Sequence, residues 1–330
     1  AMETELRSRI FTIQSDSDFQ NLAMDVFRFQ YQNNPVYREY LDLLEIHPES
    51  IHSIEHIPFL PIQLFKSRKV YSSRQEPDLE FHSSGTTGMT KSIHYVRDAG
   101  LYRESALNGF QLFYGNPSNF HFLALLPSYL EQKHSSLIWM VRTLISISGS
   151  GESGFYLNEP ELLIKKIGQL RGSSDRGIML LGVGYALLDL AEKFHPDLDG
   201  VIVLETGGMK GQRKEMVREE LHHVLCKNLN LETIHSEYGM TELLSQAYSL
   251  GGGRFRSPPW MKIMVRDIYN PFTFVAETRS GGINIMDLAN LYSCPFIETQ
   301  DLGSMHEDGT FEILGRFDQS DLRGCNLLVD

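Results

Sequence analysis

The chain has 330 residues, of which 42% are hydrophobic and 22% charged, a composition typical of a globular protein with a large buried core. Its formal net charge of -12 argues against nucleic acid or an anionic membrane as a partner, because either requires clustered lysine and arginine. The sequence contains no apolar run approaching the roughly 18 residues that a membrane-spanning helix needs. The negative charge does not exclude ATP as a ligand, because local dipoles and a metal ion can hold ATP on an acidic protein.

The three cysteines of the chain are Cys226, Cys294 and Cys325. Their odd number and their spacing fit neither a disulfide framework nor a zinc motif. Free thiols are typical of a reducing compartment, and the first residues lack the apolar stretch of a secretory signal peptide. The sequence therefore predicts a cytoplasmic protein.

The N-terminal part of the chain has a helical pattern. Ser15 and Asp16 are plausible N-caps, and apolar residues follow at helical spacing through residues 15–46, with a break at Pro35. Two prolines in residues 57–71 predict a turn that enters a short helix.

Strands alternate with helices in the middle of the chain. This alternation predicts an α/β fold with mixed sheets flanked by helices. Residues 137–147 are apolar throughout, and periodicity leaves helix and strand both open there. The predicted strands cover residues 119–127, 177–184 and 200–205, and the predicted helices cover residues 185–193 and 211–229.

Short β-type runs broken by Gly, Pro and Asp follow residue 250, and they include residues 273–279. We therefore predict an α/β core over residues 1–250, a small β-rich subdomain over residues 251–314 and a hinge-like tail over residues 315–330.

The segment His82 to Ser92, HSSGTTGMTKS, is the first with a chemical signature. Glycines let backbone N–H groups turn inward as an anion nest, hydroxyls add donors, and Lys91 adds a positive charge. Thr90 stands where a P-loop needs Gly before its Lys, so a P-loop is excluded. The pattern favours a phosphate-binding loop, and the alternative is a polar surface turn.

The segment Ser236 to Glu242, SEYGMTE, is the second. The aromatic face of Tyr238 suits a purine, and the Glu242 carboxylate is a hard oxygen ligand suited to Mg²⁺ beside phosphates. The alternative is a helix N-terminus, with Thr241 as the cap and Glu242 in the first turn.

Both segments resemble motifs of the adenylate-forming superfamily, which includes acyl-CoA ligases, adenylation domains and luciferases. The resemblance implies ATP and Mg²⁺ as cofactors, Lys91 as a phosphate-binding lysine, Thr241 at the α-phosphate and Glu242 as the metal ligand. Asp301 would accept hydrogen bonds from the ribose hydroxyls, although Gln300 replaces a family glycine and a turn-forming role is the alternative. Arg316 would reach the ribose or the α-phosphate. The other nucleotide-binding positions that the resemblance implies are Ser83, Ser84, Gly85, Thr86, Thr87, Gly88, Gly207, Gly208, Tyr238, Gly239 and Met240.

The segments PFLPIQLFK, SSGTTG and the final RGC resemble the acyl-protein synthetase (LuxE-like) branch of that superfamily. The family's C-terminal lid domain, with its second catalytic lysine, is expected to be absent, because the sequence ends at Asp330. In this branch a cysteine near the C-terminus carries the acyl group, and Cys325 occupies the matching place. The alternative for Cys325 is a small buried filler.

The resemblance implies ATP-dependent activation of a carboxylic acid, by default a fatty acid, with transfer to a protein thiol. It also implies an acyl-accepting protein, such as a reductase or a transferase, as a partner. Two alternatives remain open. One is a lid-less acyl- or aryl-CoA ligase, and the other is a non-catalytic nucleotide-binding subunit.

Overall fold

The computed structural model describes residues 2–85, 88–128, 130–207 and 212–316. Cα packing groups the described chain into two compact units. The first unit contains the residues up to Ser105, the short segment Met240–Ser245 and the residues from Ser257 onward. The second unit contains Ala106–Gly239 and Gln246–Arg256. The sequence predicted consecutive ranges divided near residue 250, and that division stays a prediction.

Helices and strands are numbered in chain order. The α-helices are α1 (Met2–Arg9), α2 (Asp16–Asn33), α3 (Pro35–Leu43), α4 (Leu64–Ser67), α5 (Ala99–Tyr114), α6 (Ser136–Ser148), α7 (Pro160–Ser173), α8 (Gly184–Phe194) and α9 (Arg218–Leu229). The strands are β1 (Leu60–Pro61), β2 (Leu79–His82), β3 (Ile93–Val96), β4 (Phe120–Leu125), β5 (Gly154–Phe155), β6 (Gly177–Val183), β7 (Ile202–Thr206), β8 (His235–Tyr238), β9 (Ala247–Ser249), β10 (Phe255–Arg256), β11 (Met261–Arg266), β12 (Gly281–Asp287), β13 (Phe296–Met305) and β14 (Phe311–Arg316).

The second unit is built on a sheet with the strand order β10-β9-β8-β7-β6-β4-β5. Strands β4, β5, β6, β7 and β8 are parallel, and β9 and β10 are antiparallel. Strand β4 is buried along its whole length, as expected for a parallel strand that is covered on both faces. Helix α8 packs closely on β6, because a Cβ at Gly182 would lie 2.8 Å from Leu187 Cγ.

The first unit contains an antiparallel sheet with the order β11-β12-β13-β14, and β1 pairs with β13 in parallel. Strands β2 and β3 form a separate antiparallel pair. Gln30 and Asn34, both fully buried, attach α2 and α3 to the loop before β13. Gln30 Nε2 donates to the Leu291 carbonyl over 2.7 Å, and Asn34 Nδ2 donates to the Ser293 carbonyl over 3.0 Å.

Most predicted elements are confirmed. Helix α2 begins after Ser15, which forms a capping box with Asp18, and α3 begins at Pro35. The undecided segment 137–147 is helix α6. The predicted fold class, a mixed α/β protein with helices beside its sheet, is confirmed as well.

Two predicted elements are wrong. The helix predicted from residue 211 begins at Arg218, because Arg213 instead donates to Asp189 over 3.1 Å and to Glu192 over 2.7 Å. The first turn then starts with Glu219 and Glu220, which suit the positive end of the helix dipole.

Residues 273–279 were predicted as a β run, but they contribute one isolated bridge, from Phe274 to Arg266. Side chains compete for the backbone in the preceding turn. The Asp267 carboxylate accepts from the N–H groups of Tyr269 and Asn270, over 2.7 and 3.0 Å, and these bonds favour a turn over a strand.

Candidate active site

The predicted phosphate loop connects β2 to β3 in the first unit. Two hydrogen bonds close its base: Ser83 N–H donates to the Ser92 carbonyl over 3.0 Å, and Ser92 N–H donates to Ser83 Oγ over 2.8 Å. Gly88 has φ = 94°, which a residue with a side chain rarely adopts. Ser84, Gly85 and Gly88 are exposed, and Thr86 and Thr87 lie outside the described residues.

Lys91 ends this loop and is exposed. A Cβ at Gly85 would lie 3.6 Å from Lys91 Cγ, so the lysine side chain lies alongside the loop that it follows. The structure therefore brings together a glycine-rich turn and an exposed lysine side chain, and both can donate hydrogen bonds to an anion.

Glu242 lies on the short segment Met240–Ser245 of the first unit and is 6% exposed. Burial raises the pKa of its carboxyl, while a hydrogen bond from Ser92 and the charge of Arg316 act in the opposite direction. Ser92 follows Lys91 directly. Ser92, immediately before β3, therefore connects the phosphate loop to the Glu242 carboxylate.

Asp301 and Arg316 are the other predicted residues of the first unit that the structure brings together. They are paired across β13 and β14, and Arg316 Nε lies 3.7 Å from Asp301 Oδ1. The Asp301 charge raises the pKa of Glu242, whereas the Arg316 charge lowers it, so all three groups are close enough to interact. The Arg316 side chain is 77% exposed and can contact a ligand.

Buried polar side chains hold the backbone of segment 240–245. The Asp287 carboxylate is fully buried and accepts four hydrogen bonds. Its donors are the N–H groups of Leu244, Ser245 and Ala289, over 2.9, 2.9 and 3.2 Å, and Ser245 Oγ, over 2.6 Å. Burial raises the pKa of this carboxyl, and the four hydrogen bonds oppose that change.

His94 and Asn290 hold the carbonyl groups of the same segment. Asn290 Nδ2 donates to the carbonyls of Glu242 and Cys294, over 2.8 and 2.9 Å, so the Asn290 oxygen must be an acceptor. His94 lies 2.7 Å from the Thr241 carbonyl through Nδ1 and 2.8 Å from that Asn290 oxygen through Nε2. Both ring nitrogens therefore face acceptors. Burial lowers the pKa of His94 to about 4, and these two hydrogen bonds act against that effect.

These positioning residues were missed in the sequence. His94, Asp287 and Asn290 stand as single polar residues in apolar surroundings, and a lone polar residue in such a run more often has a structural role. The signal that could have found them is the pair Asp287 and Asn290 in the otherwise apolar run IMDLANLY.

Of the remaining described positions of the predicted set, Met240 lies in the first unit, and Gly207, Tyr238 and Gly239 lie in the second. Tyr238, at the end of β8, is 8% exposed, and its ring centroid lies 6.1 Å from that of Phe255. A Cβ at Gly239 would lie 2.6 Å from Glu237 Oε1, so this position cannot take a side chain without a shift. Gly207 follows β7 with φ = 75°. Gly208 and Cys325 lie outside the described residues.

A buried carboxylate lies beside Gly207. Glu205 is 3% exposed, and its Oε1 lies 3.1 Å from Arg218 Nε, 3.2 Å from His222 Nε2 and 2.8 Å from Ser236 Oγ. Burial raises the pKa of Glu205, but the His222 hydrogen bond, the Arg218 charge and Ser236 outweigh it, so the pKa is lowered overall.

Gln246 is the next residue of the second unit with an unusual environment. It is 5% exposed, and its Oε1 has no hydrogen-bond partner in the part of the chain that the structure describes. A Cβ at Gly239 would lie 3.5 Å from Gln246 Cγ, so the glutamine is next to the predicted adenine motif. A buried acceptor of this kind fits a ligand that carries an N–H donor, such as the amino group of adenine.

The described residues contain no cluster of three or more His, Cys, Asp or Glu side chains that could enclose a metal ion. A single carboxylate at Glu242 fits Mg²⁺, because this ion usually takes one or two carboxylates and completes its shell with water and phosphate oxygens. Among the described helices none is both long and apolar enough to cross a membrane.

Comparison with known proteins identifies a matching family and a similar sequence. The family described as acyl-protein synthetase, LuxE, matches residues 9–103. The long-chain-fatty-acid–luciferin-component ligase of Aliivibrio fischeri is 23% identical over 333 residues, which cover 93% of this chain and 86% of that relative.

Two solved structures share the fold. ATP-bound MatB from Rhodopseudomonas palustris has a TM-score of 0.55 at 16% identity, over 74% of this chain and 49% of MatB, so the chain spans about half the length of that protein. A 2-hydroxyisobutyryl-CoA ligase in complex with 2-HIB-AMP and CoA has a TM-score of 0.66 at 12% identity, over 96% of this chain and 68% of the ligase. The predicted resemblance to adenylate-forming enzymes and to acyl-protein synthetases of the LuxE type is confirmed.

Proposed function

We propose that the chain uses ATP to activate a carboxylic acid as an acyl adenylate and then passes the acyl group to a protein thiol. The observation that carries this proposal is the Glu242 carboxylate. It is buried, it lies on a backbone segment held by Asp287, Asn290 and His94, and it is close enough to Asp301 and Arg316 for their charges to affect its pKa. A carboxylate in such surroundings suits a metal ion that accompanies phosphates.

Residues of the first unit would hold the phosphates and the ribose. Lys91 and the N–H groups of the loop at residues 83–88 would bind phosphate oxygens, Thr241 the α-phosphate, and Asp301 and Arg316 the ribose and its phosphate. Mg²⁺ held by Glu242 would supply positive charge where two anions have to meet. For the base, Tyr238 would lie against the adenine ring, and the backbone at Gly207, Gly208, Gly239 and Met240 would lie beside it.

The proposed reaction has two steps. A carboxylate oxygen of the acid attacks the α-phosphorus, a new phosphorus–oxygen bond forms, and the bond to pyrophosphate breaks. The acid is already ionised at neutral pH, so this step needs no general base. A thiolate then attacks the acyl carbonyl carbon, and AMP leaves with the electron pair of the mixed anhydride bond.

Cys325 is the thiol that we assign to the second step. Burial raises the pKa of Cys294 to about 12, and this side chain is fully buried, so Cys294 is neither ionised nor accessible at neutral pH. Burial also raises the pKa of Cys226, within α9. The raised pKa disfavours both cysteines as nucleophiles, full burial further disfavours Cys294, and Cys325 is the third cysteine in the sequence.

We propose a fatty acid as the default substrate, because the relative from Aliivibrio fischeri is named for a long-chain fatty acid. The acyl thioester would then pass to an acyl-accepting protein, either a reductase or a transferase. A reducing cytoplasm suits a mechanism that depends on a free thiol.

Intact-mass measurement tests this function. The protein is incubated with Mg-ATP and a panel of fatty and aryl acids, beside matched Cys325→Ala and Cys226→Ala variants. We expect a mass gain of one acyl group in the wild type and in Cys226→Ala, removable by hydroxylamine, and no gain in Cys325→Ala.

Two other outcomes would contradict parts of the proposal. Release of pyrophosphate without any adduct would move the acceptor to another thiol and exclude Cys325. If acyl-CoA then formed on addition of CoA, the chain would be a CoA ligase, the candidate favoured by its similarity to the 2-hydroxyisobutyryl-CoA ligase fold. Neither adduct nor pyrophosphate with any acid would contradict catalysis by this chain and favour a nucleotide-binding subunit.

A further inference from the structure

A cavity of about 490 Å³ in the first unit lies among residues that the predicted function does not use. Its walls come from α3, from the segment that precedes β1, from the turn before β12 and from β13. Its volume falls within the range of about 300–1,000 Å³ that is typical of small-molecule sites.

The walls of the cavity are mainly apolar and rich in aromatic rings. Tyr40, Phe59, Phe272 and Phe274 line it, and the ring centroids of Phe59 and Phe274 lie 6.1 Å apart at 80°. Aromatic rings attract cations, because the face of each ring carries partial negative charge. The wall therefore suits both an apolar chain and a positive group.

Hydrogen bonds stabilise the turn that carries Phe272. Asp267 accepts from two backbone N–H groups, Thr273 N–H donates to the Asn270 carbonyl over 3.0 Å, and Phe272 N–H donates to Asn270 Oδ1 over 3.3 Å. Phe272 nevertheless stays 62% exposed. A large apolar side chain that a rigid turn presents at the mouth of a cavity is available to a ligand.

Two carboxylates, Glu298 and Glu55, belong to the cavity lining, which also contains Ser50 and His56. The Glu298 side chain is 24% exposed and forms a long ion pair with Arg266, whose Nε lies 3.9 Å from Glu298 Oε1. Burial raises the pKa of Glu298, and the negative charge of Glu298 helps to raise the pKa of Tyr40 to about 12. Glu55 is exposed, and the described residues that line the cavity include neither Lys nor Arg.

We propose that this cavity binds an alkylammonium group attached to an apolar chain, either on a free amine or on a lysine side chain of another protein. The ammonium lies at Glu298, where the partly desolvated carboxylate and the aromatic walls both favour a cation. The apolar chain contacts Phe59, Phe272 and Phe274. A carboxylic acid is disfavoured, because its head group would meet Glu298 and Glu55 with the same charge.

This inference does not depend on the proposed function, because it uses neither ATP nor the residues assigned to it. Titration calorimetry on the full chain without nucleotide tests it with three ligands of equal chain length: n-hexylammonium, n-hexanol and hexanoate. The variants are Glu298→Gln and Phe274→Leu, with Glu277→Gln, an exposed carboxylate outside the cavity lining, as the control.

We expect n-hexylammonium to bind most tightly and Glu298→Gln to weaken it about tenfold, while hexanol binding and the Glu277→Gln control stay unchanged. Phe274→Leu is expected to weaken n-hexylammonium more than hexanol. Thermal unfolding of each variant checks that it is folded, and Glu55→Gln provides a second carboxylate variant if Glu298→Gln does not fold.

Capped lysine, Nα-acetyl-lysine N-methylamide, distinguishes the two sources. Tighter binding of capped lysine than of n-hexylammonium assigns the cavity to a lysine of a partner protein, and the reverse order assigns it to a free amine. Equal or tighter binding of hexanoate, unchanged n-hexylammonium affinity in Glu298→Gln, or the absence of saturable binding of any amine would each overturn the proposal.

Discussion

Asp287 in the first unit and Glu205 in the second are both buried carboxylates next to segments with predicted nucleotide-binding residues, but their partners differ. Asp287 accepts hydrogen bonds from three backbone N–H groups and one hydroxyl, none of which carries a charge. Glu205 lies against one cationic side chain, Arg218, the imidazole of His222 and one hydroxyl.

The difference shows two ways to place a negative charge inside a protein. Backbone donors stabilise Asp287 only while segment 240–245 keeps its shape, so this carboxylate fixes the backbone next to Glu242. Side chains of α9, the Arg218 guanidinium and the His222 ring, stabilise Glu205 and hold α9 against the end of β7. We therefore expect loss of the Asp287 carboxylate to disturb the backbone of segment 240–245. Loss of the Glu205 carboxylate is expected to leave the charge of Arg218 without its partner.

Replacement of Asp287 by Ala is expected to have the largest effect. Four buried donors lose their acceptor, and the free energy of unfolding falls by about 4–5 kcal/mol. Denaturant unfolding measures this loss, and hydrogen exchange at the Leu244 and Ser245 amides should accelerate. Asp267→Ala, which removes a carboxylate that bonds two N–H groups in an exposed turn, is the matched control. An equal loss in both variants would contradict the account.

Glu205→Gln is expected to lower the free energy of unfolding by about 3–4 kcal/mol at pH 7, because it leaves Arg218 without its buried counter-charge. Glu192→Gln, which breaks an exposed ion pair with Arg213, is the control and should have a much smaller effect. A loss in Glu205→Gln no larger than that of the control would show that the buried pair is not stabilising.

The difference in the free energy of unfolding between the wild type and Glu205→Gln is expected to depend on pH, because the pKa of Glu205 is lowered in the folded protein. The folded protein holds the ionised form more tightly than the unfolded chain, whose pKa is about 4.5, so the stabilisation is present above that pH. It is lost as the pH falls through the lower pKa of the folded state. Urea unfolding of wild type and Glu205→Gln between pH 3 and pH 7 should therefore converge at the acid end; a constant difference would contradict the assignment.

His94→Phe is expected to lower the free energy of unfolding by about 2–3 kcal/mol, because the neutral imidazole donates its one N–H to either the Thr241 carbonyl or the Asn290 oxygen, and that buried acceptor loses its donor. The control is His121→Phe, because the His121 ring lies between the hydroxyls of Ser150 and Ser174, which can rotate to other partners. We expect His121→Phe to lower the free energy of unfolding by less than His94→Phe does. Equal losses would show that ring burial, rather than the two carbonyl contacts, sets the effect of His94.

Gln246→Leu is expected to have the smallest effect on stability, within about 0.5 kcal/mol of wild type or slightly stabilising, because it removes a buried acceptor that has no hydrogen-bond partner among the described residues. ATP affinity should nevertheless fall about tenfold if this acceptor receives a hydrogen bond from adenine. Equilibrium binding of ATP checks the prediction. Unchanged affinity would remove Gln246 from the proposed base site.

The sequence predicted those parts of the fold that depend on local patterns. The start of α2 followed from Ser15 and its capping box, and the buried strands β4, β6 and β7 followed from their apolar runs. The start of α9 was missed because Arg213 pairs with acidic residues of α8, and contacts of that kind are not visible in a local pattern.

Residues of the candidate site also fall into two groups, those that a local motif identifies and those whose role depends on long-range contacts. Lys91, Glu242, Asp301 and Arg316 could be identified from motifs, because their chemistry requires particular residue types at short spacing. His94, Asp287 and Asn290 could not, since their role depends on which backbone groups they meet after folding, up to 147 positions away for His94. The same holds for Gln246, whose missing hydrogen bond is a property of the folded surroundings.

The central claim is that this chain forms an acyl adenylate, and acid-dependent exchange of labelled pyrophosphate into ATP measures that step without any thiol acceptor. The wild type is compared with Lys91→Ala and Glu242→Gln, with Glu312→Gln, a carboxylate paired with His306, as the control. We predict exchange that requires a carboxylic acid, is unchanged in the control and falls at least about 100-fold in the other two variants. Exchange that persists in Lys91→Ala and Glu242→Gln, or its absence from the wild type with every acid, would contradict the claim.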